Sequence, residues 1–176
     1  LTGAQSDGQS RRANGIAHVP EDRQSEGLLM NFHAWENVCF GYHNDPAYNK
    51  GRFFMDNTAL RDDTRRKMDK FDVRPADCWL HAKNFSGGNQ QKIVLAREIE
   101  RNPDLLLIGQ PTRGVDIGAI EFIHQQIVAL RDQGKAILLV SVELEEILSL
   151  SDRIAVMFDG KMMGERMPQE TDEKEL

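Results

Sequence analysis

The sequence predicts an α/β fold in which crossover helices connect the strands of a parallel sheet. Two apolar runs, residues 105–108 and 136–140, are short and sharply bounded, as buried parallel strands are. A helical pattern over residues 119–131 separates them, and the order strand, helix, strand is typical of a parallel sheet. A third apolar run, residues 153–158, follows an acidic helix over residues 144–150 and is expected to add another strand.

A glycine turn begins the helix that precedes these strands. Ser86-Gly87-Gly88 leads into the amphipathic stretch 93–98. Two glycines let backbone N–H groups approach a bulky anion, the helix dipole favours negative charge, and Ser86 adds a hydroxyl donor. Phosphate is the natural ligand of such a turn. Taken alone, however, an ordinary helix cap is the commoner explanation, so the neighbouring motifs decide.

Composition and charge exclude several functions. The chain has 176 residues, of which 40% are hydrophobic and 28% charged, which suits one domain with a sizeable core. Its net charge of −6 argues against nucleic acid as a partner, which would require a basic stripe. No apolar run approaches the roughly 20 residues that span a bilayer. Cys39 and Cys78 are far apart in sequence, and we expect two free thiols.

Five motifs, in order, resemble those of ATP-binding-cassette (ABC) ATPases. Residues 86–91 resemble the signature motif, 105–110 the Walker B strand, 114–116 the D-loop, and 140–143 the switch-histidine strand. Upstream, residues 15–24 with their Val-Pro-Glu-Asp-Arg run resemble the Q-loop of the second cassette in tandem-cassette ATPases of bacterial sugar and nucleoside importers. The resemblance implies a partial RecA-like core with a parallel sheet, plus a helical subdomain.

The chain departs from the family pattern at the catalytic positions. The Walker B Asp and Glu are replaced by Gly109 and Gln110, the switch histidine by Val142, and the Q-loop glutamine by Glu21. Glycine offers magnesium no ligand, and a neutral amide cannot take a proton from water at physiological pH. We therefore expect no intact catalytic residue and no metal site. We also expect no ATP hydrolysis by this chain alone, because it has no Walker A sequence.

The resemblance also suggests how the chain is organised. Leu1-Thr2-Gly3 resembles the end of the helix after the phosphate-binding loop, so the chain is interpreted as a truncated, C-terminal second cassette. Residues 1–27 would then be the end of that helix and the Q-loop segment. Residues 28–83 would form the helical subdomain, and residues 84–176 the signature helix and the last part of the core.

In the family, two cassettes face each other head to tail, and each signature contacts ATP held by the other cassette. Asp116 would accordingly lie across the dimer seam, and Gln90 and Gln91 would line the edge of the signature. ATP and Mg²⁺ are expected mainly at the partner cassette, with none held by this chain alone. The residues expected to contact that ATP are Ser86, Gly87, Gly88, Asn89 and Gln90.

The resemblance implies partners and leaves alternatives open. The expected partners are the N-terminal cassette of the same polypeptide, membrane permease subunits and, through them, a periplasmic or lipoprotein solute-binding protein. The complex would lie at the cytoplasmic face of the bacterial inner membrane, with Phe32, Trp35 and Phe40 either facing the permease or filling the small lobe's core. Motif details favour a nucleoside importer over a ribose or galactose importer. A non-catalytic regulatory or scaffolding domain is the main alternative, and a chromosome-maintenance or mismatch-repair cassette lacks the basic surface it would need.

Overall fold

The computed structural model describes residues 7–51 and 54–170. The described α-helices are α1 (Gly8–Ala13), α2 (Ala34–Cys39), α3 (Asn57–Lys70), α4 (Gly87–Ile99), α5 (Ile117–Asp132) and α6 (Leu144–Leu150). The described strands are β1 (Ile16–Val19), β2 (Asn49–Lys50), β3 (Phe54–Met55), β4 (Leu105–Gly109), β5 (Ala136–Val140), β6 (Ile154–Phe158) and β7 (Lys161–Arg166). A π-helical turn spans Arg23–Gly27, and short 3₁₀ helices span Pro46–Tyr48, Ala82–Asn84 and Pro168–Glu170. The expectation for Leu1-Thr2-Gly3 lies outside the described residues.

The predicted parallel sheet is confirmed, with strand order β1-β4-β5. Ala17 of β1 is in register with Leu106 of β4, and both are fully buried. The opposite face of the sheet is less covered: on β5, Leu138 is 56% and Val140 is 58% exposed. Parallel sheets are normally buried on both faces. In the described part of the chain, this face of β5 is therefore an uncovered apolar surface.

The third predicted strand forms, but it does not join the parallel sheet. Strand β6 pairs antiparallel with β7, and the two make a separate two-stranded sheet. The turn between them has positive φ angles at Asp159 and Gly160, +48° and +70°, which a two-residue hairpin of the I′ type requires. The sequence pattern showed an apolar strand but not which neighbour it would pair with.

Helix α4 lies at the centre of the fold. One hydrophobic cluster joins its buried residues, including Ile93 and Leu95, to Val38 of α2, Phe71 just after α3 and Ile123 of α5. Helices α2 and α3 lie within residues 28–83, the segment expected to form the helical subdomain. Because one core crosses positions 28 and 84, the three-part division stays a prediction. No helix among the described residues is long and apolar enough to cross a membrane.

Candidate functional site

The signature turn, residues 86–88, is built as a capped helix start. Ser86 is the N-cap of α4, and its hydroxyl oxygen accepts hydrogen bonds from the backbone N–H of Asn89 at 3.4 Å and from its side-chain amide at 2.9 Å. The side-chain oxygen of Asn89 accepts from the backbone N–H of Arg74 at 2.7 Å. Ser86 is exposed, and the first-turn N–H groups of a helix have no partner within it. The turn can thus offer donors to an anion from outside the chain.

Two glutamines of the signature lie elsewhere than expected. Gln90 and Gln91 are buried inside the packing of α4 and do not line its exposed edge. The amide nitrogen of Gln90 donates to the carbonyl oxygens of Ala82 at 3.2 Å and Phe85 at 3.1 Å, and its amide oxygen accepts from Gln24 at 3.0 Å. The burial of Gln90 is consistent with the helical periodicity of the sequence. Gln90 is spaced three, four and seven residues from buried positions 93, 94 and 97 of the same helix.

The glycines of the signature turn pack against other segments of the chain. A β-carbon added to Gly87 would lie 2.6 Å from Nη2 of Arg23 and 2.7 Å from the carbonyl oxygen of Gly114. A β-carbon on Gly88 would lie 2.9 Å from a carboxylate oxygen of Asp116. At Gly87 the short distance to a backbone carbonyl requires glycine, and at Gly88 a β-carbon would have to displace the carboxylate of Asp116. The glycines thus have a packing role in this chain, whether or not they also approach a nucleotide.

Asp116 anchors the helix that follows the D-loop, residues 114–116. Its carboxylate accepts from the backbone N–H of Ala119 at 3.0 Å as the N-cap of α5, and the residue is exposed. A polar depression of about 300 Å³ lies between Asp116 and Asn89, with Arg74 and Lys92 on its wall. The signature turn and the D-loop therefore share one polar surface on the outside of the molecule.

Two of the positions that depart from the family pattern, Gln110 and Val142, are bonded to each other, and a third, Glu21, is bonded to Arg113. Gln110 is nearly buried and adopts a left-handed conformation with φ of +45°. Its backbone N–H donates to the carbonyl oxygen of Val140 at 2.7 Å, and its side-chain oxygen accepts from the N–H of Val142 at 3.3 Å. The carboxylate of Glu21 accepts from Arg113 at 2.6 Å. Gln110 thus joins the end of β4 to the loop after β5.

These residues do not fit a magnesium-bound triphosphate in this chain's own site. Gly109 has no side-chain ligand, the amide oxygen of Gln110 already accepts a hydrogen bond, and Val142 offers no polar side-chain atom. The one carboxylate among the four positions, that of Glu21, is paired with Arg113. Magnesium prefers several oxygen ligands, carboxylates above all. Among residues 7–51 and 54–170, no group of three or more His, Cys, Asp or Glu side chains could hold a metal ion.

Sequence reasoning missed two arginines that connect the site to the fold. Nη1 of Arg23 donates to the carbonyl oxygen of Arg113 at 2.6 Å, and Nη2 donates to that of Gly114 at 3.1 Å. Arg97, buried in α4, donates to the carbonyl oxygens of Gly27 at 2.9 Å and Asn37 at 3.3 Å. Arg97 could have been found, because a charged residue on the buried face of a helix usually has a specific partner.

No protein-family model matches the chain. It is 48% identical over 161 residues to a nucleoside import ATP-binding protein of Lactococcus lactis, covering 92% of this chain and 32% of that protein. It is also 48% identical over 169 residues to a guanosine import ATP-binding protein of Bacillus subtilis, covering 93% and 32%. A ribose import ATP-binding protein of Shouchella clausii is 42% identical over 150 residues, covering 85% and 30%. The chain spans about a third of the length of these curated relatives.

Solved structures with the same fold are ATP-binding cassettes. One is a dimeric cassette in a post-hydrolysis state bound to ADP and phosphate, with a TM-score of 0.71 at 23% identity, covering 93% of this chain and 68% of that one. Another is a nucleotide-free cassette from an ABC transporter, with a TM-score of 0.72 at 21% identity, covering 92% and 64%. At these identities the likeness shows the fold, while the curated relatives show the group. The chain belongs to the ATP-binding-cassette family, and the curated relatives that it resembles are ATP-binding proteins of sugar and nucleoside importers.

Proposed function

We propose that this chain is the degenerate second cassette of a nucleoside or simple-sugar importer, and that its signature turn completes the ATP site of a partner cassette. The relatives named above are ATP-binding proteins for the import of nucleosides, guanosine and ribose. One contrast carries the proposal. Ser86 is exposed at a capped helix start, whereas Gln110 is bonded to the loop at Val142 and Glu21 to Arg113.

The proposed work of this chain is electrostatic. ATP with magnesium, bound mainly by the partner cassette, supplies the phosphoryl group that is transferred to water. The hydroxyl of Ser86 and the first-turn N–H groups of Gly87 and Gly88 would stabilise the negative charge that develops on that group. Such donors are effective because the fold holds them in place before the reaction. Asp116, exposed beside the turn, would contact the partner cassette across the seam.

The expected partners follow from the same proposal. The N-terminal cassette of the same polypeptide would face the signature turn, and permease subunits would contact the helical lobe, placing the protein at the cytoplasmic face of the inner membrane. Phe32 is 47% and Phe40 is 43% exposed, so both can reach a partner. Trp35 is only partly exposed and packs near Trp79, with ring centroids 6.3 Å apart. A solute-binding protein would act through the permease.

Two substitutions of Ser86 test the proposal in the full-length protein reconstituted with its permease. Ser86→Asp keeps a good N-cap but places a carboxylate where phosphate would approach. We expect its ATP turnover and solute uptake to fall by about 10²–10³, the usual effect of losing one preorganised donor. Ser86→Thr keeps both the cap and the hydroxyl, and we expect it to retain most activity. Equal melting temperatures would show that both variants fold alike.

A scaffolding or regulatory domain is the second candidate, and one observation favours it. The tight packing of Gly87 against Arg23 and Gly114 explains the glycines without any nucleotide. If the domain is only a scaffold, Ser86→Asp should leave turnover and uptake unchanged because its cap is intact. Full activity of Ser86→Asp would therefore reject the proposed function and support the scaffold.

A further inference from the structure

We infer that Arg23 is a positioning residue that fixes the D-loop against the signature turn, so that both meet the partner cassette in one arrangement. This inference rests on the function proposed above. Arg23 begins the π-helical turn Arg23–Gly27, far from the D-loop in sequence. Its two terminal nitrogens donate to successive carbonyl oxygens, those of Arg113 at 2.6 Å and Gly114 at 3.1 Å. One planar fork thus holds two consecutive peptide groups.

The same guanidinium lies directly under the start of α4. The position of a β-carbon on Gly87 would be 2.6 Å from Nη2 of Arg23 and 2.7 Å from the carbonyl oxygen of Gly114. The guanidinium, the D-loop carbonyl and the signature glycine therefore meet at a single point. Gly114 has a φ of +64°, a left-handed conformation that glycine adopts without strain.

Neighbouring contacts hold the turn that carries Arg23. Asp22 caps its turn by accepting from the backbone N–H groups of Gln24 at 2.9 Å and Ser25 at 3.2 Å. The side chain of Gln24 then donates to Gln90 of α4 at 3.0 Å. The turn that carries Arg23 is thus attached to the signature helix by a second bond. The D-loop therefore cannot move away from this turn, or from the signature helix bonded to it, without breaking the fork.

The role predicted for Arg23 is separable from simple stability. Arg23 does not itself contact the phosphates, so its loss should disturb the alignment of the donors and not the binding of ATP by the partner cassette. We expect Arg23→Ala to lower kcat of the reconstituted transporter by about 10- to 100-fold, because a misplacement near 1 Å can cost about 10². KM for ATP should stay within about threefold of the parent value.

Three further measurements sharpen the test. Arg23→Lys keeps the charge and the aliphatic stem, so it should fold, but one ammonium cannot reproduce the fork, and kcat should still fall by about tenfold. Methylguanidinium added to Arg23→Ala should raise kcat severalfold by refilling the site. Arg131→Ala is the matched control, since that arginine is exposed and pairs with its neighbour Asp132, and it should retain full activity.

The outcomes distinguish this inference from the proposed function. If both Arg23 variants keep kcat within twofold of the Arg131→Ala control while Ser86→Asp loses activity, the inference is wrong and the proposed function stands. An increase in KM with kcat unchanged would also overturn it, because Arg23 would then act on nucleotide affinity. If Ser86→Asp also keeps full activity, the proposed function fails and the inference fails with it.

Discussion

Replacing Leu106 by Ala should remove a large part of the stability of this chain. Leu106 is fully buried on the central strand β4, in register with Ala17 on one side and Ile137 on the other. Buried Leu→Ala changes cost about 3–5 kcal/mol, because the transfer energy of the lost methyl groups is added to that of the cavity. The same substitution at Leu138, which is 56% exposed on β5, should cost less than about 1 kcal/mol.

Urea unfolding of the 176-residue chain, followed by circular dichroism, measures the difference. With a slope of about 2 kcal/mol per molar urea, Leu106→Ala should lower the midpoint by roughly 1.5–2.5 M. Leu138→Ala should lower it by less than about 0.5 M. Because the substitution is identical, the comparison isolates burial. Equal losses at the two positions would show that both faces of the sheet are covered, and would refute the one-sided burial described above.

Two further predictions concern acid stability and the degenerate site. Burial raises the pKa of Asp63, but hydrogen bonds led by that of Lys67 lower it overall to about 2, below its usual 3.8. The ionised Asp63 therefore adds about 2 kcal/mol to the free energy of unfolding above about pH 4, and this contribution is lost as the pH falls from 4 to 2. In acid unfolding curves, Asp63→Asn should abolish this part of the pH dependence. In the reconstituted transporter, Gly109→Asp with Gln110→Glu should change steady-state phosphate release less than about twofold, because one repaired element cannot rebuild the site. A new β-carbon at position 109 would lie 3.3 Å from the backbone nitrogen of Glu21, and this crowding also opposes repair. A severalfold increase in the rate of phosphate release would show instead that this site limits turnover.

The order and type of the main elements could be predicted from the sequence. Strands β4 and β5 and helix α6 were placed within a residue of their observed ends, because apolar runs and helical periodicity are local signals. The pairing of β6 could not be predicted in this way. Which edge a strand joins depends on the neighbours present, and the strand's own residues do not encode it.

The site was predicted less completely than the fold. Motif order located the turn at Ser86 and the substituted positions Gln110 and Val142. It did not show that Gln90 points into the core, although the spacing of buried positions in α4 contained that information. Arg23 belongs to the Val-Pro-Glu-Asp-Arg motif, but its partners lie 90 and 91 residues away in sequence. Contacts between distant loops are set by the assembled fold, so no local pattern reports them.

Gln110 and Arg113, in the loop after β4, connect that loop to the loops after β5 and β1. A left-handed backbone at a residue other than glycine costs roughly 1–2 kcal/mol, yet Gln110 adopts it with φ of +45°. Three hydrogen bonds hold it there: to the carbonyl of Val140, from the N–H of Val142, and from the N–H of Arg113 to its own carbonyl at 3.2 Å. Arg113 in turn pairs with Glu21. A continuous path of bonds thus leads from Val142 through Gln110 and Arg113 to Glu21, and Arg23 adds a bond to the carbonyl of Arg113. In the function proposed above, these bonds would let the three loops move together while the ATP is held by the partner cassette.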